Sequence, residues 1–220
     1  MNDGRWWNPD PIWNGKDVFI IGGGPSLKGF DFSLLKDKRT IGCNTAFTLG
    51  PDICDVCVFV DTGWFEFWHD DLAKFPNTIV TNHNKPSFKK VSWLKVMARE
   101  QSGLHKHALG YGGNCGCVAI NLALILGAKR VLLLGVDCNV GFNGEPNWHP
   151  HLITKSTGPT YYDEVYGRFK DGYQKIAHDL PNVFPGSEII NLNPDSELEA
   201  FKKAPIGEFL PSTILEKVSA

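Results

Sequence analysis

The stretch DVFIIGGGPSLKGFD, residues 17–31, ends a hydrophobic run in Gly22, Gly23 and Gly24 and continues into Pro25 and Ser26. Residues of these types can hold an anion. Glycines put no side chain between the backbone and a ligand, and Pro25-Ser26 suits a turn or helix start whose N–H groups face phosphate or ribose oxygens. The spacing rules out the two best-known phosphate loops. A dinucleotide fingerprint needs a third glycine where Leu27 stands, and a Walker A loop needs Ser or Thr after its lysine, whereas Gly29 follows Lys28. A tight strand-to-helix turn that uses glycine only for its backbone angles accounts for the same residues.

Further polar residues recur where apolar runs end. RTIGCN closes on Asn44, the third run on Asp61, the fourth on Asn82 and the fifth on Asp137. In a doubly wound sheet such ends lie side by side around the ligand crevice, and Asn44 can read a sugar hydroxyl or a base edge. Each is also a residue type that caps helices or starts turns.

Six cysteines, Cys43, Cys54, Cys57, Cys115, Cys117 and Cys138, sit among Val, Ile and Ala. Without an export signal they read as reduced, packed thiols. Cys54 and Cys57 have the spacing of half a zinc site, but along a strand they point to opposite faces. A zinc set of Cys115, Cys117, His149 and His151 has suitable ligand types with an unusual one-residue gap in both pairs. The aromatic stretch GWFEFWHDDL could form an acceptor platform, yet its spacing fits an amphipathic helix packed on a sheet. His105 and His107 lie in a basic loop that suits phosphate or simply solvent.

The elements that must position these residues are short, continuous apolar runs: DVFII, RTIGC, DVCVFV, NTIVT, RVLLLGV and EIINL. Such runs suit strands covered on both faces. The predicted fold is therefore α/β: a Rossmann-like, doubly wound, mainly parallel sheet with helices on both faces. One helix is expected from about Gly116 to Leu126, stopped by Gly127; a second starts near Trp64 and a third near Tyr161. Residues 138–160, rich in Gly, Pro, Asn and His, read as a lid or active-site insertion within a single domain spanning 1–220.

With 42% hydrophobic residues and a net charge of −2, the chain can bury a full core and carries no electrostatic footprint for a polyanion. A nucleic-acid acceptor is neither indicated nor excluded. No signal peptide or membrane-spanning run is present, which predicts a cytoplasmic protein.

The segments IIGGGPSLKGFD, GCNTAF, GGNCGCVAINLALILGAKRVLLLGVD and INLNPDSELEAF together resemble one family. It contains bacterial lipooligosaccharide sialyltransferases, flagellin-modifying motility accessory factors and archaeal-type hydroxymethylpterin diphosphokinases. The likeness runs from Asp17 to about Phe201, is weakest in the lid, and extends to phage-borne proteins, which implies a host-cytoplasm location. It implies a nucleotide-dependent transferase, a glycosyltransferase in the first place, with a CMP-, UDP- or GDP-linked sugar as donor and a hydroxyl-bearing acceptor. Gly22, Gly23, Gly24, Ser26 and Asn44 would hold the nucleotide. Asn114, Cys115 and Gly116 stand where the sialyltransferases have Thr-Ser-Gly at a helix start, and Gly135 and Asp137 match a Gly-Ile-Asp. Asp61 replaces an Asn, a change that implies Mg²⁺ held by Asp61 and Asp137. A lid histidine, His149 or His151, would take the acceptor proton, and Tyr161 and Tyr162 would assist the departing phosphate. The alternatives that the resemblance leaves open are ATP-dependent pyrophosphoryl transfer to a hydroxymethylpterin-like substrate, and nucleotide binding without turnover.

Overall fold

In the computed structural model, residues 6–83, 85–150 and 159–210 are described. The chain opens with β1 (Asp17–Ile21), β2 (Arg39–Cys43), β3 (Val56–Phe59), α1 (Thr62–Leu72), β4 (Thr78–Thr81) and β5 (Leu94–Val96). A small excursion holds β6 (Arg99–Glu100) and β7 (Leu109–Gly110). Then come α2 (Cys115–Ile125), β8 (Arg130–Leu134), α3 (Pro159–Val183), β9 (Glu188–Asn191) and β10 (Lys202–Lys203). The main sheet has the order β10-β9-β8-β1-β2-β3-β4-β5, with every pair parallel.

Alternation along the central strands explains why the sheet is covered twice. Val18 and Ile20 of β1 face α2 and α3, together with Ile41, Val131 and Leu133. Phe19 and Ile21 turn to the opposite layer, against Leu27, Leu35 and Ala46. Toward the β5 edge that second layer is α1, whose Trp64, Phe65 and Leu72 pack on Cys57, Phe59 and Ile79. α2 is apolar but for Asn121 and each of its residues is buried, as expected of a helix sandwiched between a sheet and another helix.

The six expected strands and three expected helices are present. The first two crossovers differ from the expected strand-helix alternation. Between β1 and β2 the chain makes only 3-10 turns, at Pro25–Leu27 and Phe32–Leu35, and between β2 and β3 one at Asn44–Leu49. Gly29 and Asp37, both with positive φ, break up the first crossover before an α-helix can propagate.

Topology fixes where a ligand can sit. From β1 the chain steps outward through β2, β3, β4 and β5, then returns through α2 to β8 on the other side of β1. The strand order reverses between β1 and β8, and their carboxyl ends are level because Ile21 is in register with Leu134. That reversal point is where open α/β sheets leave a crevice.

Candidate active site

A cavity of about 750 Å³ opens at this switch point. Its floor is the pair of loops after β1 and β8. Gly22 N–H donates to Leu134 O at 2.8 Å and Gly24 N–H to Gly135 O at 2.7 Å, zipping the loops together beyond the sheet. The contact is too close for side chains: a Cβ on Gly22 would lie 2.4 Å from Gly135 O, and one on Gly24 would lie 2.3 Å from Asp137 Oδ2. The glycines therefore serve loop packing as well as openness. Most of the loop's amides are spent on the β8 loop rather than aimed outward.

Ser26 and Asn82 do not line the cavity. Ser26 turns to Asp137, giving its N–H to Oδ2 at 2.8 Å and its hydroxyl to Oδ1 at 2.7 Å. Asn193 Nδ2 adds a third hydrogen bond to Oδ1 at 2.8 Å. The Asp137 carboxylate, 2% exposed, is thus a clamp that joins the β1 loop, the β8 loop and the segment after β9. Three of its four lone-pair positions are thereby used, so although Asp137 lines the cavity it has one position left for a Mg²⁺. Asn82 is fully buried beneath the crevice, where its Nδ2 donates to Leu109 O at 3.3 Å and ties β4 to β7.

The remaining strand-end residues meet at the cavity wall. Asn44 is held with φ 51°, a left-handed conformation that asparagine tolerates, and its buried Oδ1 has no hydrogen-bond partner among the described residues. Trp64 Nε1 donates to Thr45 Oγ1 at 3.3 Å, which brings the first turn of α1 against this segment. Asp61 is the N-cap of α1: one oxygen accepts Trp64 N–H at 2.8 Å, and the other has no partner among the described residues. No group of three or more His, Cys, Asp or Glu side chains converges to hold a metal among the described residues. A carboxylate oxygen without a partner among the described residues fits a Mg²⁺ that also takes phosphate oxygens, so Asp61 is the less committed of the expected pair.

α2 begins at the back of the cavity. Asn114 caps it, its Oδ1 accepting Cys117 N–H at 2.9 Å and the Tyr173 hydroxyl at 3.0 Å. First-turn amides of a helix have no intrahelical partner, so the N–H groups of Cys115 and Gly116, which line the cavity, are donors placed for an anion. Gly116 has no room for a side chain, since a Cβ would stand 2.2 Å from the Tyr173 hydroxyl. The Cys115 and Cys117 thiols turn to different carbonyls, those of Val58 and Gly112, and do not form half of a zinc site. All six cysteines are free and buried. Burial pushes the Cys54, Cys117 and Cys138 thiols up to about 12. The neighbouring Cys115 thiol and burial together push Cys43 well above the usual range.

The roof comes from the lid and α3. Pro146, Asn147 and His149 reach over the floor, while His151 lies outside the described residues. Tyr161 and Tyr162 line the opposite side, and α3 adds Tyr166, Arg168 and Phe169. The rings form a continuous wall: Tyr161 meets Tyr162 edge-on at 5.4 Å and Tyr162 stacks on Tyr166 at 5.8 Å. Burial, followed by the neighbouring phenol, raises the Tyr162 and Tyr166 hydroxyls, which keeps both as neutral hydrogen-bond donors. Arg168 is the Lys or Arg among the cavity-lining residues, and the sequence reading missed it. Its spacing of seven from Tyr161 puts it on the same helical face, a signal present in the sequence but unused.

An all-parallel sheet with its cavity at the switch point defines a Rossmann-like α/β fold. Among solved structures the chain is similar to a MAf glycosyltransferase from Magnetospirillum magneticum AMB-1, with a TM-score of 0.65 and 16% identity. The match covers 97% of this chain and 38% of that one, so the chain spans well under half of that protein's length. No protein-family model and no curated protein sequence matches the chain. No helix among the described residues is long and apolar enough to cross a membrane.

Proposed function

We propose that the chain is a nucleotide-dependent glycosyltransferase whose donor lies in this cavity. The observation that carries the reading is the convergence, on one 750 Å³ cavity, of helix-start amides, a neutral tyrosine wall and a lid histidine. The donor's phosphate would rest at the α2 N-terminus beside Arg168, where amides and guanidinium stabilise added negative charge. Asn44 Oδ1, an acceptor without a partner among the described residues, would take a ribose hydroxyl or a base N–H. His149 would receive the proton of the acceptor hydroxyl as its oxygen bonds to the anomeric carbon. The bond from that carbon to the phosphate oxygen breaks, and the electron pair leaves on phosphate, to which Tyr161 or Tyr162 donates a hydrogen bond. A Mg²⁺ at Asp61 would supply further charge neutralisation to a diphosphate.

The test is thermal unfolding with CMP, CDP, UDP, GDP, ADP and ATP, each with and without Mg²⁺, followed by donor turnover with whichever nucleotide binds. A ligand at 100 times its dissociation constant adds about 2.7 kcal/mol, a rise of roughly 5–10 °C for a chain of this size. Stabilisation by a pyrimidine or guanine nucleotide supports the reading. Stabilisation confined to ATP with Mg²⁺ replaces it with pyrophosphoryl transfer, for which the uncommitted Asp61 oxygen is the supporting feature. Nucleotide binding with no turnover, unaffected by His149→Ala, would leave a binding protein.

A further inference from the structure

The described part of the lid does not hang free above the floor; Trp148 makes its most direct attachment there. Trp148 N–H donates to Gly23 O at 3.0 Å and its indole Nε1–H donates to Gly22 O at 2.9 Å. The same indole packs on Phe32 at 4.9 Å, within the apolar layer below the β1 loop. Its other neighbour is the next residue, His149, whose ring stands edge-on to the indole at 4.9 Å and 90°. Flanking contacts reinforce the arrangement. Lys28 pairs with Glu145 at 2.7 Å and holds its carboxyl down to about 2, and the Asn147 amide nitrogen, suitably oriented, reaches Gly23 O at 3.2 Å.

The Gly22 and Gly23 carbonyls are acceptors that a lid can grip without competing for the α2 amides proposed for the donor phosphate. We infer that Trp148 is a positioning residue: by pinning the lid to the Gly22 and Gly23 carbonyls it fixes the height and orientation of His149 over the bound donor. The inference rests on the proposed role of His149 for its catalytic consequence, but the pinning itself is independent of that role. A Trp that served only to cover Phe32 would be replaceable by another large ring. The indole's hydrogen bond to Gly22 O is not, since phenylalanine offers no side-chain N–H in its place; the backbone bond to Gly23 O is common to any residue here but proline.

Two variants of the full chain separate these functions. Trp148→Phe keeps a ring against Phe32 and removes the indole N–H, and Trp148→Ala removes both; circular dichroism checks that each folds. The first readout needs no substrate: imidazole C2 hydrogen exchange, followed by mass spectrometry across pH, gives a rate and pKa for each histidine. We expect His149 to exchange several-fold faster in both variants while His83, His105 and His107 keep their wild-type rates. Unchanged His149 exchange in folded Trp148→Ala overturns the inference. The second readout is donor turnover. Loss of a positioned base predicts kcat lower by about 10- to 100-fold with KM and nucleotide affinity within twofold. A variant whose nucleotide affinity falls as much as its kcat shows that Trp148 shapes the floor instead, and overturns the positioning role. Faster His149 exchange in the variants, with a wild-type protein that turns over no donor, retains the pinning and removes the base assignment to His149.

Discussion

Asp137 illustrates how a residue that sequence patterning assigns to a ligand can be taken up by the fold. Its carboxylate accepts two hydrogen bonds from Ser26 and one from Asn193, which leaves one of its four lone-pair positions for anything else in the cavity it lines. Truncation strands three donors in a nearly closed site. Asp137→Ala should cost at least about 3 kcal/mol, which lowers the unfolding midpoint by roughly 6–12 °C in a calorimetric scan. An equal midpoint in the variant would show that the clamp contributes nothing. The cysteines make a second prediction at this scale. Their folded-state pKa values are raised, so folding favours the protonated thiol; that contribution is complete below the unfolded value near 9 and is lost as pH rises toward about 12. Denaturant titrations should therefore show stability declining above pH 9, and a thiol reagent at pH 8 should label none of the six cysteines until the chain unfolds. Residue types at strand ends indicated that Asn44, Asp61 and the glycines belonged at the crevice, and the family resemblance added Asn114. They could not distinguish a carboxylate offered to a ligand from one consumed by a neighbouring loop, because that depends on residues 111 and 56 positions away.

Between elements, the contact that matters most for the cavity is the approach of α3 to the loop before α2. Gly172 meets Gly112 so closely that a Cβ on Gly172 would fall 2.3 Å from Gly112 O. Two effects oppose each other in Gly172→Ala. Helix propensity alone would stabilise α3 by about 1 kcal/mol, whereas overpacking costs about 1–3 kcal/mol. A clash with backbone cannot relax by rotating a side chain, so the net sign should be destabilising, with weaker nucleotide binding because the tyrosine wall moves outward. A higher unfolding midpoint for this variant would refute the close packing. The cap of α2 gives a companion test: Asn114→Ala removes the acceptor for both Cys117 N–H and the Tyr173 hydroxyl and should cost about 1–2 kcal/mol in urea unfolding. Apolar runs and the stop at Gly127 made six strands and three helices legible. The two-residue strands and the 3-10 crossovers were not, since they carry too few residues to establish a period.

At the scale of the molecule, an eight-stranded parallel sheet has no local pairing, and every strand contact bridges a crossover. Its layers share the central strands, with Val18 and Ile20 serving one face while Phe19 and Ile21 serve the other. Urea unfolding of the 220-residue chain should accordingly be one transition, with tryptophan fluorescence and far-UV circular dichroism coincident; separated curves would indicate two cooperative units. The fold class was readable because strands covered on both faces leave uninterrupted apolar runs. The site was half readable: its floor lies at strand ends and is fixed by topology, and the lid and the start of α3 were legible from composition and resemblance, while the way Trp148 seats the lid on the floor depends on packing between distant segments.

The closeness of the floor has a consequence for how such a protein can change over generations. Gly22, Gly24 and Gly116 have no room for a single added carbon, and no residue of α2 reaches solvent. Nearly every substitution there is purged for breaking the fold before its effect on a ligand is ever exposed to selection. The outer part of the lid before its Trp148 anchor carries less of that burden, and Phe142 there stands wholly exposed. A lineage built on this chain would therefore keep what lies on the floor and diversify in what arrives beneath the roof.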